Sequence, residues 1–164
     1  MTRTPRVGQA LDVHQLAEGY ELVLGGVPIP YARGLAGHSD GDVLLHAIAG
    51  ALLGALGLGD LGAHFPSSDP RWKGAASAQF VQHALGLARE RGYALANLDA
   101  TIVAERPRLS PHQPAIRKQV AVVLGASETD VNVKVTSTDG LGAIGRGEGI
   151  AAQVVVLLVP AEDA

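Results

Sequence analysis

An aspartate and a histidine separated by one residue stand near the start of the chain, as Asp12 and His14. On a β-strand, side chains two positions apart point to the same face, so both could bind one metal ion. The spacing is weak evidence by itself, because Asp-x-His triplets occur by chance in many proteins. Taken alone, the pair favours a structural role.

A second histidine, His46, lies in a strongly apolar segment, four residues after Asp42. Residues four apart share a helix face, and a buried imidazole needs a polar partner. A lone histidine here would be a core residue bonded to a carbonyl group or to Asp42. Together with Asp12 and His14, however, His46 gives three nitrogen or oxygen ligands with a fourth position open, as in catalytic zinc sites. The chain has no cysteine, which excludes thiolate metal sites and disulfides.

Two further segments have the composition of phosphate-binding sites. His38 and Ser39 precede the predicted helix, where free amides and the helix dipole favour an anion. Residues 136–139, Thr-Ser-Thr-Asp, lead into the glycine-rich segment 140–149, and hydroxyl and amide groups of this kind can surround a phosphate. The second signal is weak in isolation, because a hairpin connection has a similar composition. It matches neither the P-loop nor the dinucleotide-binding fingerprint.

The elements that position these residues are predicted from hydrophobic periodicity and turn residues. Strands are expected at 7–13, 20–24, 95–104, 131–137 and 150–159, with a short extended piece at 27–30. Helices are expected at 41–56, 75–91 and 111–124. Ser39 or Asp40 is the expected N-cap of the first helix. Within that helix, Gly50 and Gly54 would let another element pack closely.

The order ββ-α-α-β-α-β-β predicts an α+β (α/β two-layer) fold, with a mixed β-sheet covered by helices on one face. A length of 164 residues fits a single domain over 1–164. The uncovered sheet face is rich in Val and Ala and needs a partner. We therefore expect an oligomer in which the sheets of neighbouring copies face one another.

Composition makes several classes of partner unsuitable. The net charge of −3 comes from 13 basic and 16 acidic residues without blocks of like charge, so neither nucleic acid nor an anionic membrane is an expected partner. The N-terminus lacks the apolar stretch of a secretory signal. The longest apolar run, 43–58, contains His46 and several glycines. We expect a cytoplasmic protein without a membrane span.

Over about Val7 to Val159 the sequence resembles the cyclodiphosphate synthase family, through five motifs in the family's order and spacing. The motifs are Asp12-Val13-His14, Gly25-Gly26-Val27 with Ile29-Pro30-Tyr31, His38-Ser39-Asp40-Gly41-Asp42 with His46, Gly59-Asp60-Leu61-Gly62 with Phe65-Pro66, and Gly145-Arg146-Gly147-Glu148-Gly149-Ile150. The resemblance implies a homotrimer around a central axis, with an active site at each subunit interface. It also implies the substrate 4-diphosphocytidyl-2-C-methyl-D-erythritol 2-phosphate, which is cyclised in the non-mevalonate isoprenoid pathway with release of CMP.

Residue roles are implied by the same resemblance. Asp12, His14 and His46 resemble the ligands of Zn²⁺ or a similar divalent transition metal, and Asp139 resembles a ligand of Mg²⁺ or Mn²⁺. His38 and Ser137 occupy the positions of catalytic residues that stabilise the transition state. The remaining substrate-binding positions, beside Asp12, His14 and Ser39, are Asp60, Leu61, Gly62, Phe65, Pro66, Ser67, Ser68 and Asp69 for methylerythritol, and Ala104, Glu105, Arg106, Pro107, Arg108, Leu109, Ser110, Thr136, Thr138 and Asp139 for cytidine and diphosphate. Ala143 and Arg146 resemble residues of the axial channel, where Arg146 would bind an isoprenoid diphosphate.

Several positions depart from the family pattern. Asp139 and Gly140 stand where Glu and Lys are usual, which places the magnesium geometry in question because aspartate is one methylene shorter. The other departures are Ser137 for Thr, Arg108 for Lys, Ser67 and Gly50 for Asp, and Leu11 and Ala143 for aromatic residues. Two alternatives therefore stay open: a zinc-dependent phosphoesterase that uses the same three ligands, and a diverged trimer that binds an isoprenoid diphosphate without efficient catalysis.

Overall fold

The computed structural model describes residues 3–161. Its strands are β1 (Arg6–Ala17), β2 (Leu22–Leu24), β3 (Val27–Ile29), β4 (Gly34–Leu35), β5 (Tyr93–Val103), β6 (Val131–Thr136) and β7 (Gly149–Pro160). Its α-helices are α1 (Val43–Ala55), α2 (Leu61–His64), α3 (Ala78–Glu90), α4 (Gln113–Leu124) and α5 (Gly142–Gly145), with 3-10 turns at Pro70–Trp72 and Glu128–Asp130. The prediction of a mixed α+β fold is confirmed.

Five strands form one mixed sheet in the order β4-β1-β7-β5-β6, and β2 pairs with β3 in a separate hairpin. Among the neighbouring strands of this sheet, only β5 and β6 pair in parallel. The strand β1 is longer than the predicted 7–13, and its register places Asp12 opposite Ala152 and His14 opposite Ile150 of β7. The pairing with β7 explains the greater length, since it continues to Gln15.

Helix α1 lies against β1 and β7 at the centre of the core. Ten of its 13 residues are buried, which agrees with the apolar composition of the predicted helix. Gly50 faces β1, since a Cβ atom there would lie 3.1 Å from the Cβ of Ala10. The approach is closer at Gly8, where an added Cβ would lie 2.0 Å from the carbonyl oxygen of Ala51. The expected close packing therefore occurs, and it depends on glycine from both elements.

The N-cap of α1 is Asp42, so the expectation of Ser39 or Asp40 is wrong. Its Oδ1 accepts the N–H groups of Leu45 and Gly25, each at 3.0 Å, and its Oδ2 accepts the N–H of Gly26 at 2.7 Å. Burial raises the pKa of Asp42 to about 6, against the opposing effect of these amide donors. Asp42 thus joins the β2–β3 turn to the start of α1. Because backbone amides donate to both of its oxygens, Asp42 is not the polar partner of the His46 imidazole.

The other differences from the predicted elements are short. Helix α3 begins at Ala78 rather than at residue 75, and β2 begins at Leu22 rather than at residue 20. Strand β4 and helices α2 and α5 were not predicted, and each has four residues or fewer. Elements of this length are too short for a hydrophobic period to be recognised.

Side chains alternate along β1, so that one face of the sheet is covered and the other is open. The covered face carries Asp12 and His14 towards α1, while Val7, Leu11 and Val13 are exposed on the opposite face. Val155 of β7 adds to this open face, which no other part of residues 3–161 covers. Among the same residues, no helix is long and apolar enough to cross a membrane.

Candidate functional site

Asp12 and His14 from β1 meet His46 from the second turn of α1. The Asp12 Oδ2 atom lies 3.0 Å from Nε2 of His14 and 3.3 Å from Nδ1 of His46. The three side chains are partly buried, and their ligand atoms all lie within 4.8 Å of one another. The residues expected to form a metal site are therefore brought together. The strand alternation that turns Asp12 and His14 towards α1 is responsible.

In each imidazole, the nitrogen that points away from Asp12, here called the outer nitrogen, contacts another group of the protein. Nδ1 of His14 lies 3.0 Å from the carbonyl oxygen of Gly41, which can only accept, so this nitrogen carries the proton. Nε2 of His46 lies 2.9 Å from Oγ of Ser39. A neutral His14 therefore directs a lone pair towards the carboxylate of Asp12. This donor set fits a divalent metal ion, because each histidine already has the outer hydrogen bond that orients metal-bound imidazoles.

The charges of these groups depend on one another. Burial by itself would raise the pKa of Asp12. Hydrogen bonds and attraction from His14 and His46, in the form in which the nitrogens facing Asp12 also carry a proton, outweigh burial and hold that pKa well below its usual range. Burial would lower the pKa of His14, but the hydrogen bond and attraction of Asp12 outweigh burial and raise it. The site therefore keeps an ionised carboxylate and attracts positive charge.

Two cavities adjoin His14 and His46. The first has a volume of about 410 Å³ and contains the expected substrate residues Asp60, Leu61 and Gly62 in its lining. The second has a volume of about 230 Å³, and its lining includes His38, Ser39, Leu61, Gly62, Phe65 and Ser67. Pro66, Ser68 and Asp69 line neither cavity. Asp69 instead forms an ion pair with Arg71, with 2.6 Å between Oδ2 and Nη2.

Most of the residues expected to bind cytidine and diphosphate, but not Thr138 and Asp139, line a separate cavity of about 380 Å³. Its lining comprises Ala104, Glu105, Arg106, Pro107, Arg108, Leu109, Ser110, Val135, Thr136 and Ser137. It shares no lining residue with the two cavities beside the histidines. Within one chain, the two expected halves of the substrate site are therefore distinct.

The segment after β6 places the remaining expected residues around a turn. Asp139 has a φ angle of 53°, in the left-handed region, and its N–H donates to Oγ of Ser137 at 3.3 Å. Oγ1 of Thr138 donates to the carbonyl oxygen of Leu141 at 2.7 Å. Ala143 and Arg146 line a third region of the surface, a cavity of about 540 Å³. Nε of Arg146 lies 2.6 Å from Oε1 of Glu148.

Sequence reasoning missed an aromatic cluster beside the histidines. The only tryptophan of the chain and both phenylalanines are Trp72, Phe65 and Phe80, and all three line the smaller cavity with His46. The ring centroids of Phe80 and His46 are 5.6 Å apart, and those of Phe65 and Phe80 are 4.4 Å apart. The rarity of aromatic residues in this chain was the available signal. The contacts of Ser77 and Asp40 with this site were also missed.

Comparisons with known proteins find similarity over almost the whole chain. The model of the YgbB family matches residues 5–159. A protein from Halalkalibacterium halodurans, named 2-C-methyl-D-erythritol 2,4-cyclodiphosphate synthase, is 57% identical over 154 residues, which cover 94% of this chain and 98% of the relative. A protein of the same name from Geotalea uraniireducens is 58% identical over 153 residues, covering 93% and 98%.

Two solved structures are similar to the whole fold. A CDP-bound form of 2C-methyl-D-erythritol-2,4-cyclodiphosphate synthase has a TM-score of 0.86 and 37% identity, covering 93% of this chain and 99% of that chain. The bifunctional IspDF from Campylobacter jejuni has a TM-score of 0.92 and 40% identity. This similarity covers 96% of the chain but only 43% of that longer protein.

Proposed function

The chain belongs to the YgbB family of cyclodiphosphate synthases, and on this premise we propose that Asp12, His14 and His46 hold the metal ion of its active site. The enzyme converts 4-diphosphocytidyl-2-C-methyl-D-erythritol 2-phosphate to 2-C-methyl-D-erythritol 2,4-cyclodiphosphate and CMP, in the non-mevalonate isoprenoid pathway. The observation that carries the metal proposal is the convergence of one carboxylate and two imidazole nitrogens within 4.8 Å.

Zn²⁺ or a similar divalent transition metal suits two imidazoles and one carboxylate. When bound, such an ion supplies positive charge that neutralises phosphoryl oxygens. The protein's own task is to position the 2-phosphate of the substrate against the β-phosphorus of its diphosphate, because phosphoryl transfer depends mainly on positioning and charge stabilisation. The proposed donors to those oxygens are His38 and Ser137. His38 lines the smaller of the two cavities beside the histidines, and Ser137 lines the separate cavity expected to bind cytidine and diphosphate.

Asp139 is the proposed ligand of a second ion, Mg²⁺ or Mn²⁺, at the diphosphate. Its carboxylate is a hard oxygen ligand of the kind that Mg²⁺ prefers. The left-handed backbone at this residue, with a φ angle of 53°, is one that aspartate adopts more readily than most side chains do. The backbone geometry therefore suits the aspartate that replaces the family's usual glutamate.

We also propose a homotrimer in which each active site combines residues of two subunits. The support is twofold: the apolar side chains Val7, Leu11, Val13 and Val155 are exposed on one sheet face, and the two halves of the substrate site occupy separate cavities of one chain. Arg146 is the proposed contact for an isoprenoid diphosphate in an axial channel. Its guanidinium is exposed and paired with Glu148.

The two alternative functions are not favoured. A phosphoesterase and a binding protein without activity would both be unexpected in a chain that is 57% identical, over almost its whole length, to a relative named as a synthase. The geometry of Asp12, His14 and His46 is also intact, whereas a protein that only binds a diphosphate through Arg146 has no use for it.

One experiment separates the three functions. The purified protein is incubated with the cytidyl substrate, Zn²⁺ and Mg²⁺, and CMP and cyclic diphosphate are quantified. We expect the two products in equal amounts. Hydrolysis without a cyclic product would indicate a phosphoesterase, and no turnover would indicate a binding protein.

The variant His46→Ala tests the metal proposal in parallel. We expect it to lose activity and bound zinc but to keep the circular dichroism spectrum of the wild type, because two remaining ligands hold zinc weakly. His112→Ala is the matched control, since this histidine at the start of α4 makes no capping hydrogen bond with its side chain. A full zinc content in His46→Ala would remove His46 from the ligand set.

A further inference from the structure

The contact between His46 and Ser39 continues into a buried chain of polar side chains. Oγ of Ser39 lies 2.9 Å from Nε2 of His46 and 3.2 Å from Oγ of Ser77. The hydroxyl of Ser77, which is fully buried, donates to Oδ1 of Asp40. The contacts therefore run without a gap from an imidazole of the metal site to a carboxylate behind it.

The carboxylate end fixes the direction of every hydrogen bond in this chain. Asp40 accepts at both oxygens, because Oδ2 takes the N–H of Ser77 at 3.0 Å and Oδ1 takes the N–H of Asp42 at 3.1 Å. Ser77 therefore gives its only hydroxyl proton to Asp40 and can only accept from Ser39. By the same reasoning, Ser39 gives its proton to Ser77 and can only accept from His46.

From this order we propose that Ser77 and Asp40, acting through Ser39, are positioning residues that hold His46 in the tautomer with the proton on Nε2. Nδ1 then has a free lone pair on the side of Asp12, 3.3 Å from its Oδ2. The inference rests on the proposed metal site and deepens it, because it names what selects the ligand atom. Neither Ser77 nor Asp40 is among the expected site residues.

The opposite direction of the hydrogen bond between Ser39 and His46 would hinder metal binding. If Ser39 donated its proton to Nε2 of His46, the neutral ring would carry its proton on Nδ1, which is the nitrogen directed at Asp12. A protonated nitrogen cannot bind a metal, so this tautomer must be converted before binding. Ser77 prevents this order because it offers Ser39 an acceptor.

Ser77→Ala and Asp40→Asn test the inference. The first removes the acceptor of the Ser39 proton but keeps the backbone N–H to Asp40, and the Ser77 side chain makes no capping bond to α3. The second keeps the shape of Asp40 but introduces an amide N–H donor, which can reverse the direction of the hydrogen bonds between this residue and His46. Ser127→Ala is the control, since this exposed serine caps only the turn Glu128–Asp130.

Two measurements are made on each protein. The first is the ¹⁵N NMR signature of the His46 ring in metal-free protein at alkaline pH, where imidazoles are neutral. We expect the Nε2–H tautomer in the wild type and in Ser127→Ala, and a shift towards Nδ1–H in the other two variants. The second is zinc affinity by competition with a chelator, which should fall about 10- to 100-fold in those two variants only.

The result that overturns the inference is an unchanged His46 tautomer in both Ser77→Ala and Asp40→Asn, whatever their zinc affinity, because weaker binding alone would mean only a structural role. A wild-type ring already protonated at Nδ1 overturns it as well. The tautomer is read without metal, so its outcome stands apart from the proposed function. The proposed metal site fails separately if the wild-type protein binds neither zinc nor another divalent transition metal.

Discussion

Among residues 3–161, Asp139 is the only residue other than glycine with a positive φ angle. Its backbone reaches this conformation directly after β6, and its N–H is tied to the hydroxyl of Ser137. Aspartate tolerates the left-handed region better than glutamate, because its short side chain can bond locally. The turn therefore fixes the backbone from which the proposed magnesium-binding carboxylate projects.

Asp139→Asn is expected to weaken the response to magnesium and to leave zinc content unchanged. Asparagine tolerates the same left-handed backbone, so the substitution removes the charge without strain. We expect the magnesium concentration for half-maximal activity to rise about tenfold, equal to roughly 1.4 kcal/mol. A magnesium titration of activity at saturating zinc measures it.

Asp130→Asn serves as the control for this titration, because Asp130 lies in a turn before β6 and outside the proposed diphosphate pocket. If Asp139→Asn and the control give the same magnesium curve as the wild type, Asp139 is not a ligand of the second ion. A loss of zinc in Asp139→Asn would instead show that the two metal sites are not independent.

At the scale of elements, the proposed metal site depends on how closely α1 approaches β1. His46 is carried by the helix, and Asp12 and His14 by the strand, so the distance between the two elements sets the distance between the ligands. Gly8 allows this approach, because an added Cβ would lie 2.0 Å from the Ala51 carbonyl oxygen and 2.6 Å from the Ala55 amide nitrogen. Both atoms belong to the backbone and cannot turn away.

Gly8→Ala is therefore expected to force α1 away from β1. We predict a loss of about 1–3 kcal/mol in the free energy of unfolding, as for other overpacked cores. Zinc affinity should fall as well, although residue 8 lies outside the ligand set. Denaturant unfolding and chelator competition measure the two effects.

The matched control, Gly86→Ala, should change stability in the opposite direction. Gly86 lies inside α3, and an added Cβ there would meet nothing within 4 Å. Alanine in a helix interior is favoured over glycine by about 0.5–1 kcal/mol. Equal stability for Gly8→Ala and the wild type would contradict the close approach of α1 to β1.

At the scale of the whole molecule, one sheet face remains open while the other is covered by helices. Leu11 and Val13 are 63% and 55% exposed there, which is unfavourable for a large apolar surface in water. The residues of the proposed substrate site also fall into separate cavities. Association of copies of the chain through the open face would bury these side chains. It would also bring the separate cavities of neighbouring copies together into complete sites.

Leu11→Glu is predicted to break this association. Copies of a new carboxylate would meet at the interface, and burying like charges is costly. Light scattering should show a trimer for the wild type and a smaller species for the variant, with loss of activity. Val122→Glu is the control, because Val122 is equally exposed, at 64%, but lies on α4.

Mixed assemblies extend the same prediction. Chains carrying His46→Ala and chains carrying Ser137→Ala, each expected to be inactive alone, should regain activity when they are dissociated and reassembled together. Some interfaces would then combine two intact halves. A stable, active wild-type monomer would contradict both the shared site and the axial channel.

The sequence by itself predicted the main elements and the three residues Asp12, His14 and His46 that the structure brings together. Asp12 and His14 share a strand face because of a period of two, and the apolar pattern of residues 41–56 predicts a buried helix around His46. Both are local properties, since periodicity depends on residues close together in the chain. The resemblance of five spaced motifs to one family supplied the reaction.

Only the tertiary structure decided which polar groups surround these three side chains. Asp42, rather than Ser39 or Asp40, caps α1 because the β2–β3 turn comes close enough to donate two amides. Ser77 reaches Ser39 across 38 positions of sequence, and no local pattern reports such a contact. These choices depend on how distant elements pack, because a buried polar group must find its partner wherever packing brings one within hydrogen-bonding distance.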